Sequence, residues 1–508
     1  MKKEQSIIQA TVLLVIMTII GKGIGFVRQS VIAAFYGATA ETDAFFFAQG
    51  LPWMIFPAIS DSIAMTFMTF YINKTVTSDK NTADKYASSL INAVLIGAAL
   101  LSLVGALLAP IFVSVLAPGF VNTQRELATE LSRIAMISFL FQVAKYMFGA
   151  ILNSKKMFFQ TAFAGIIYNT IIIVMTFFWK NNNVFYLMYS VILGDLAQLF
   201  FIGYQCMKGF KYNLIANPLC ADVKSLLRVA YPMILGNTVA QMNGIVDSAV
   251  GSVLEEGSLS ALSYANSLKG IVVAVIIGAV STAIFPTLVE KAVMSEKTDQ
   301  YRVLLIATKG ALMLVLPLIC VVMCASDSIV RVVYGRGGFG EVAVNNTAIV
   351  LLCYAPQFLF IAVQEVLSRG FWAKSDTKVP AISSVIGTVT NVLLSIIGAY
   401  YFGLKGIALA TSISVVISSS MLIYMLGKSA GTELSKGIIV SVIKLVIIGM
   451  MICLLYRVVS PLLVWSNDLL KIICISVGIL LVYVMMLMIL ENKTMKLLRE
   501  SIRRRTNS

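Results

Sequence analysis

The sequence predicts an all-α polytopic membrane protein of about fourteen transmembrane helices, built as two pseudo-symmetric six-helix lobes plus two C-terminal helices. Three observations carry this. Of 508 residues, 59% are hydrophobic and 12% charged, at a mean hydropathy of +0.90. A water-soluble fold of that size needs far more polar surface, whereas a bilayer solvates apolar side chains directly. Apolar runs of about 20 residues, long enough to cross a hydrocarbon core, recur along the whole chain. Finally, a pattern in the first half returns in the second.

The spans read as 7–36, 43–72, 86–116, 127–152, 158–178, 184–206, 226–254, 260–289, 303–325, 343–372, 379–401, 404–427, 436–457 and 468–490. The run Ile7–Ile20 follows Lys2 and Lys3 as the core of a signal peptide would. The apolar pattern continues past Gly21–Gly25 to Tyr36, however, and more spans follow at once, so it reads as the first span. Lys and Arg divide about three to one between alternate connections. Lys74, Lys80, Lys155, Lys208 and the tail from Lys493 to Arg505 lie on the richer side; Arg125, Arg331 and Arg336 lie on the other. The positive-inside rule then puts both termini in the cytoplasm of a bacterial cell, which requires an even number of spans. Orientation also accounts for the net charge of +15, and no nucleic-acid partner is expected.

The repeat aligns AFFFAQGLP at Ala44–Pro52 with ALSYANSLK at Ala261–Lys269 and runs ungapped to Lys74 and Lys291. Both windows follow an acidic turn, at Glu41 and at Glu255–Glu256. GAILNSKK at Gly149–Lys156 echoes SRGFWAKSDTK at Ser368–Lys378. Six spans per repeat preserve orientation, so the halves are parallel repeats about an axis along the membrane normal. The boundaries are an N-terminal lobe over 1–210, a C-terminal lobe over 225–428, two extra helices over 434–491 and a basic cytoplasmic tail over 492–508.

Charges within spans are costly and usually line water or a substrate path. Lys22 and Arg28 lie in GKGIGFVRQ on the first span, where Gly21, Gly23 and Gly25 permit a bend that turns both toward one cavity. Asp43 and Asp61 lie on the second span, Lys145 on the fourth, Asp195 on the sixth, Asp247 on the seventh and Lys269 on the eighth. Glu365 and Arg369 are four apart on the tenth, a spacing that allows an ion pair within the helix. Lys309 and Lys444 read as snorkelling or packed lysines. A cavity lined by Arg and Lys favours an anionic substrate.

Catalysis finds little support. There is no histidine, Walker loop or pair of loop acids. The seven cysteines show no CxxC pair and read as small buried hydrophobes. GRGGFG at Gly335–Gly340 reads as a flexible turn on the outer face rather than a phosphate loop. A transporter, not an enzyme, is the expectation.

GKGIGFVRQSVIAAFYGATAETDAFFFAQGLP resembles the opening signature of the MviN/MurJ lipid II flippases, of the multidrug/oligosaccharidyl-lipid/polysaccharide exporter superfamily. The likeness extends to Phe285–Ala292, Ser368–Ala381 and Gly403–Ser412. It implies a central cationic cavity, alternating access, and a groove near the last two helices for a lipid tail. It implies as substrate an undecaprenyl-diphosphate-linked peptidoglycan precursor, carried from the cytoplasmic to the outer leaflet of the cell membrane by a monomer. The alternatives are another lipid-linked oligosaccharide, such as a capsule or exopolysaccharide unit, and a multidrug/cation antiporter. The resemblance places substrate contacts on Lys22, Arg28, Asp43 and Asp61, beside the residue-based candidates Lys269, Glu365 and Arg369. Arginines that it implies fall on Phe56 and Ser267, and the acid after Arg28 is Gln29. It also implies a sodium site at Asp247, Asn391, the Ile407 backbone and Thr411, with a further acidic ligand replaced by Ser395.

Overall fold

The structure, a computed structural model, describes residues 2–179, 183–217, 221–283, 297–373, 376–462 and 467–490, and within some helices, including around Asp61, the backbone alone. The stretch Phe285–Ala292 and the tail 492–508 lie outside the described residues. In chain order the helices are α1 (Lys2–Tyr36), α2 (Ala40–Ile55), α3 (Pro57–Thr77), α4 (Lys80–Leu107), α5 (Ala109–Leu116), α6 (Asn122–Ser154), α7 (Phe158–Phe178), α8 (Val184–Met207) and α9 (Ala221–Gly251). There follow α10 (Ser258–Ala283), α11 (Lys297–Tyr334), α12 (Glu341–Tyr354), α13 (Gln357–Ala373), α14 (Lys378–Phe402), α15 (Leu404–Ala430), α16 (Thr432–Val459) and α17 (Asp468–Leu490).

Among the described residues, every predicted span falls on helix for most of its length. Among the described residues nine helices are long and apolar enough to cross a membrane. The pair α12 and α13, bent by 44°, makes a tenth. Three spans read as continuous are in fact broken, and proline explains two of the breaks. Pro57 opens α3 and excludes helical geometry at Phe56 (φ −121°, ψ 38°). Pro110 lies in the first turn of α5, just after the junction at Leu108. The third break separates α12 from α13. α1 runs as one continuous helix through Gly21, Gly23 and Gly25.

Contacts divide the chain into two compact units. The first comprises Met1–Ser267, Arg336–Ala343 and Asn391–Ile407; the second comprises Leu268–Gly335, Val344–Thr390 and Ala408–Ser508. In the first, α1 packs on α7, α7 and α6 pack on α8, and α2 and α4 pack on α6. Its core includes Phe67, Leu90, Ile91, Phe139 and Met147, against which Phe56 packs. The segment after α8 is tied to this unit by buried polar groups. Asn92 donates to the carbonyls of Asn213, Leu214 and Ala216 (3.3, 3.0 and 3.0 Å). Asp84 accepts from Tyr71 Oη (2.9 Å) and Lys211 N (3.0 Å). Lys155 donates to Gly209 O (2.7 Å), and burial there holds its ammonium pKa below the ordinary value.

In the second unit α11 packs against α13, α16 and α17. Near one end, Lys471 pairs with Asp327 (3.2 Å) and Arg331 with Asp468 (3.5 Å), joining α11 to α17. Cys324 and Cys453 bring their thiols to 3.9 Å between α11 and α16.

Candidate functional site

The first unit encloses a polar cluster at mid-helix depth. Arg28 on α1 is half-buried, with its guanidinium 5.5 Å from the Tyr168 ring centroid on α7. Its Nε is shielded from solvent and has no hydrogen-bond partner. Tyr168 Oη accepts from Gln49 on α2 (3.5 Å). On α8, Asp195 accepts from Ser138 and from Gln142 Nε2 (3.0 Å), both on α6. Lys145 and Arg28 both lie within electrostatic reach of Asp195. At 1.5 Å per residue, Arg28, Lys145 and Asp195 each sit roughly 12 Å or more along their helices from the nearer end.

Two cations around one carboxylate leave an excess positive charge where water is scarce. Such a site attracts an anion strongly, and an arginine with an unused N–H suits the forked geometry of phosphate. Lys145 and Asp195 were visible in the sequence as charges within spans. Ser138, Gln142, Gln49 and Tyr168 were not singled out, because uncharged polar residues in a span give a weak signal.

A second constellation closes one end of this unit. Thr39 caps α2, and Asp43, buried in the first turn of α2, also caps α10. Its carboxylate accepts from Gly257 N (2.7 Å), Ser260 N (2.6 Å) and Ser260 Oγ (2.6 Å). Two helix N-termini thus converge on one carboxylate, an arrangement their dipoles favour. Ser260 Oγ also meets Thr42 Oγ1 at 2.8 Å. The 217 residues between Asp43 and Ser260 are the offset of the internal repeat. Equivalent positions of the two halves therefore meet here, as residues do across a two-fold axis.

Tyr264, fully buried, donates to Gly37 O (3.0 Å) and packs edge-on to Phe46 and Phe339 (5.2 Å each). The turn Gly335–Gly340, expected to be a flexible outer loop, is instead fixed here. Gly338 N donates to Ala34 O (2.7 Å). Gly337 adopts a positive φ of 61°, and a Cβ there would collide with Ala34 O.

The other candidates are more dispersed. Lys22 is exposed on α1. The Asp61 side chain lies outside the described residues. Glu365 and Arg369 form the expected ion pair at 3.2 Å in the second unit. Lys269 also lies in that unit, 4.5 Å from the Tyr354 ring centroid. Asp247 Oδ1 accepts from Ser395 Oγ (3.1 Å), the position at which the resemblance implies a further acidic ligand beside it. Asn391 and Ile407 are buried in the first unit, and Thr411 belongs to the second.

Comparison with known proteins adds the family. The pattern that defines the family described as "Lipid II flippase MurJ" matches residues 32–476. The chain belongs to the MurJ family. MurJ is a transporter family, so the protein is a transporter and not an enzyme, held in the bacterial inner membrane by many spans. A "Probable lipid II flippase MurJ" of Buchnera aphidicola (subsp. Acyrthosiphon pisum) is 26% identical over 465 residues, covering 89% of this chain and 90% of its own. That of Vibrio cholerae is 24% identical over 436 residues, covering 82% of each. A solved structure described as "Lipid II flippase MurJ, inward closed conformation" shares the fold, with a TM-score of 0.77 at 22% identity, over 93% of this chain and 98% of its own. An inward-facing multidrug resistance MATE transporter shows a more distant likeness: TM-score 0.63, 16% identity, 81% of this chain and 95% of its own.

Set against the MurJ resemblance, three positions acquire a structural reason. Gln29 Nε2 donates to Ser267 Oγ (3.2 Å). These are the positions where the resemblance implies an acid and an arginine, so a charged pair is replaced by a neutral one. Phe56, where another arginine is implied, is 5.1 Å from Phe139, ring to ring, and packs on the apolar core.

Proposed function

We propose that this protein flips the undecaprenyl-diphosphate-linked peptidoglycan precursor, lipid II, from the cytoplasmic to the outer leaflet by alternating access. The observation that carries this reading is the positive excess around Arg28, Lys145 and Asp195 at mid-helix depth, in a chain of the MurJ family. Arg28 is the group we assign to the diphosphate, with Lys145 adding field and Asp195 holding both cations in place. Lys22 and Asp61 are the further substrate contacts proposed on the first unit, and Lys269, Glu365 and Arg369 those proposed on the second.

The proposed cycle needs the outer end to open. Asp43 is the latch there: its bonds to Gly257 and Ser260 hold α2 to α10 in the state described and break when cargo leaves. Both termini lie in the cytoplasm, as the basic connections suggest, and one chain suffices. The paired repeats supply the two lobes, 1–210 and 225–428, with α16 and α17 bordering a groove for the prenyl tail.

Sodium is proposed as the coupling ion. Asp247, Asn391 and the Ile407 carbonyl, all of the first unit, would hold it, and hard oxygen donors suit that ion. The Asp247–Ser395 contact supports the assignment, since it sets a carboxylate beside a second oxygen donor. One specific observation favours a second cargo: the neutral pair Gln29–Ser267 and the half-buried Phe56 leave fewer cations than the resemblance implies. Another prenyl-diphosphate glycan is that second reading. Depletion of the protein, followed by analysis of lipid-linked precursors, separates the two. Accumulated lipid II supports the first reading, and accumulation of a different glycan lipid with normal lipid II replaces it with the second.

A further inference from the structure

The first unit carries a groove of about 550 Å³ on the flank of α4 and α6, lined by none of the residues of the cationic cluster. Its walls come from two antiparallel faces. Ala99, Ser102 and Ala106 of α4 form one side, and Ile137 and Leu140 of α6 the other, with Arg133 among the lining residues. Small residues on α4 keep the helices close: Ser102 bonds Met136 O, and a Cβ on Gly105 would sit 2.7 Å from Met136 Sδ. The volume lies within the ordinary range of ligand pockets, and the lining is almost entirely apolar.

Arg133 gives the groove its polarity. Preceding it on α6 is the polar segment NTQRELATELS; following it is the apolar run from Ile134 to Leu152. That switch puts Arg133 at the depth of lipid headgroups, so the hydrocarbon begins deeper on α6 than the boundary at 127 suggested. Arg133 is exposed, and among the described residues it has no ion-pair partner, although Glu130 is one turn away. Arg125, the next arginine on the helix, bonds Ser114 of α5. Exposed Leu103, Leu107 and Ile137 flank the groove and suit contact with acyl chains.

We infer that this groove is a binding site for an anionic phospholipid of the bilayer, with the phosphate on Arg133 and an acyl chain along the α4–α6 crease. A guanidinium at headgroup depth above an apolar channel matches a phosphodiester with its chain attached, and a basic pocket between membrane helices is a recognised form of lipid site. On the orientation proposed above, the site faces the outer leaflet. The binding itself does not depend on which leaflet it is, nor on the transported glycan.

The test is native mass spectrometry of the purified full-length protein titrated with phosphatidylglycerol, with phosphatidylcholine as control. The unmodified protein is expected to retain one phosphatidylglycerol adduct. Arg133→Gln should lower that occupancy about tenfold, and Arg133→Lys less. Ala99→Trp, at an exposed position, fills the crease while keeping the charge and should abolish the adduct as well. Equal adducts in all three variants, or equal retention of phosphatidylcholine, would overturn the site.

Discussion

Arg28 is where loss of a single charge should separate folding from function. It is half-buried and engages Tyr168 through its ring face, so Arg28→Ala removes a cation without opening a large core cavity. A charge-assisted contact to phosphate contributes about 1.5–3 kcal/mol. Complementation of a depleted strain should therefore fail, with transport reduced roughly ten- to hundredfold, while membrane insertion is unchanged. Full growth on Arg28→Ala would remove Arg28 from the proposed path. At the Gln29–Ser267 contact, Gln29 Oε1 is buried without a partner. An arginine introduced by Ser267→Arg could donate to that oxygen. The variant should fold and support growth, and pairing it with Gln29→Glu should raise its thermal stability above the single substitution. Arg28 was legible in the sequence because a charge within a span stands out. Its Tyr168 partner was not, because a span tyrosine resembles any other packed aromatic.

Helix ends show what the pattern of apolar runs does and does not specify. The helical spans were legible because hydrocarbon thickness sets a run length, and that length survives any detail of packing. The junctions at Phe56 and Leu108 were less so, although Pro57 and Pro110 were in plain view. Hydropathy runs straight across a proline, while the backbone does not. The fixed turn Gly335–Gly340 was misread for a related reason: glycine composition shows conformational freedom, but not that Ala34 takes up that freedom. Capping sits at the same scale. Asp43 satisfies donors at the start of α10, so Asp43→Ala orphans two buried N–H groups and should destabilise the protein by about 1–3 kcal/mol. A fall in the melting temperature of the detergent-purified variant would register this, and Asp43→Asn, which keeps one acceptor, should lose less. The α4 tether offers a parallel case. Asn92→Ala frees three carbonyls of the segment 213–216, and limited proteolysis should then cut there while leaving the unmodified protein intact.

At the scale of the whole molecule, the internal repeat gives alternating access a physical handle. Parallel repeats can rock only if some contact near their shared axis opens and closes, and the meeting of Thr42 and Asp43 with Ser260 lies on the repeat offset itself. The polar part of the contact consists of hydrogen bonds, which can break and re-form, while Tyr264 of α10 must also part from Phe46 of α2. A covalent bond in its place should therefore stop transport without unfolding anything. The hydroxyls of Thr42 and Ser260 touch at 2.8 Å, so thiols placed there by Thr42→Cys and Ser260→Cys, with the seven native cysteines removed, should link under a mild external oxidant. Oxidised cells should stop exporting lipid-linked precursor, as measured by its accessibility to an enzyme supplied outside, and a reductant should restore export. Each single-cysteine variant should continue unaffected under the same oxidant. If the cross-linked protein continued to export at the reduced rate, α2 and α10 would not part during the cycle, and the Asp43 latch would be a static brace.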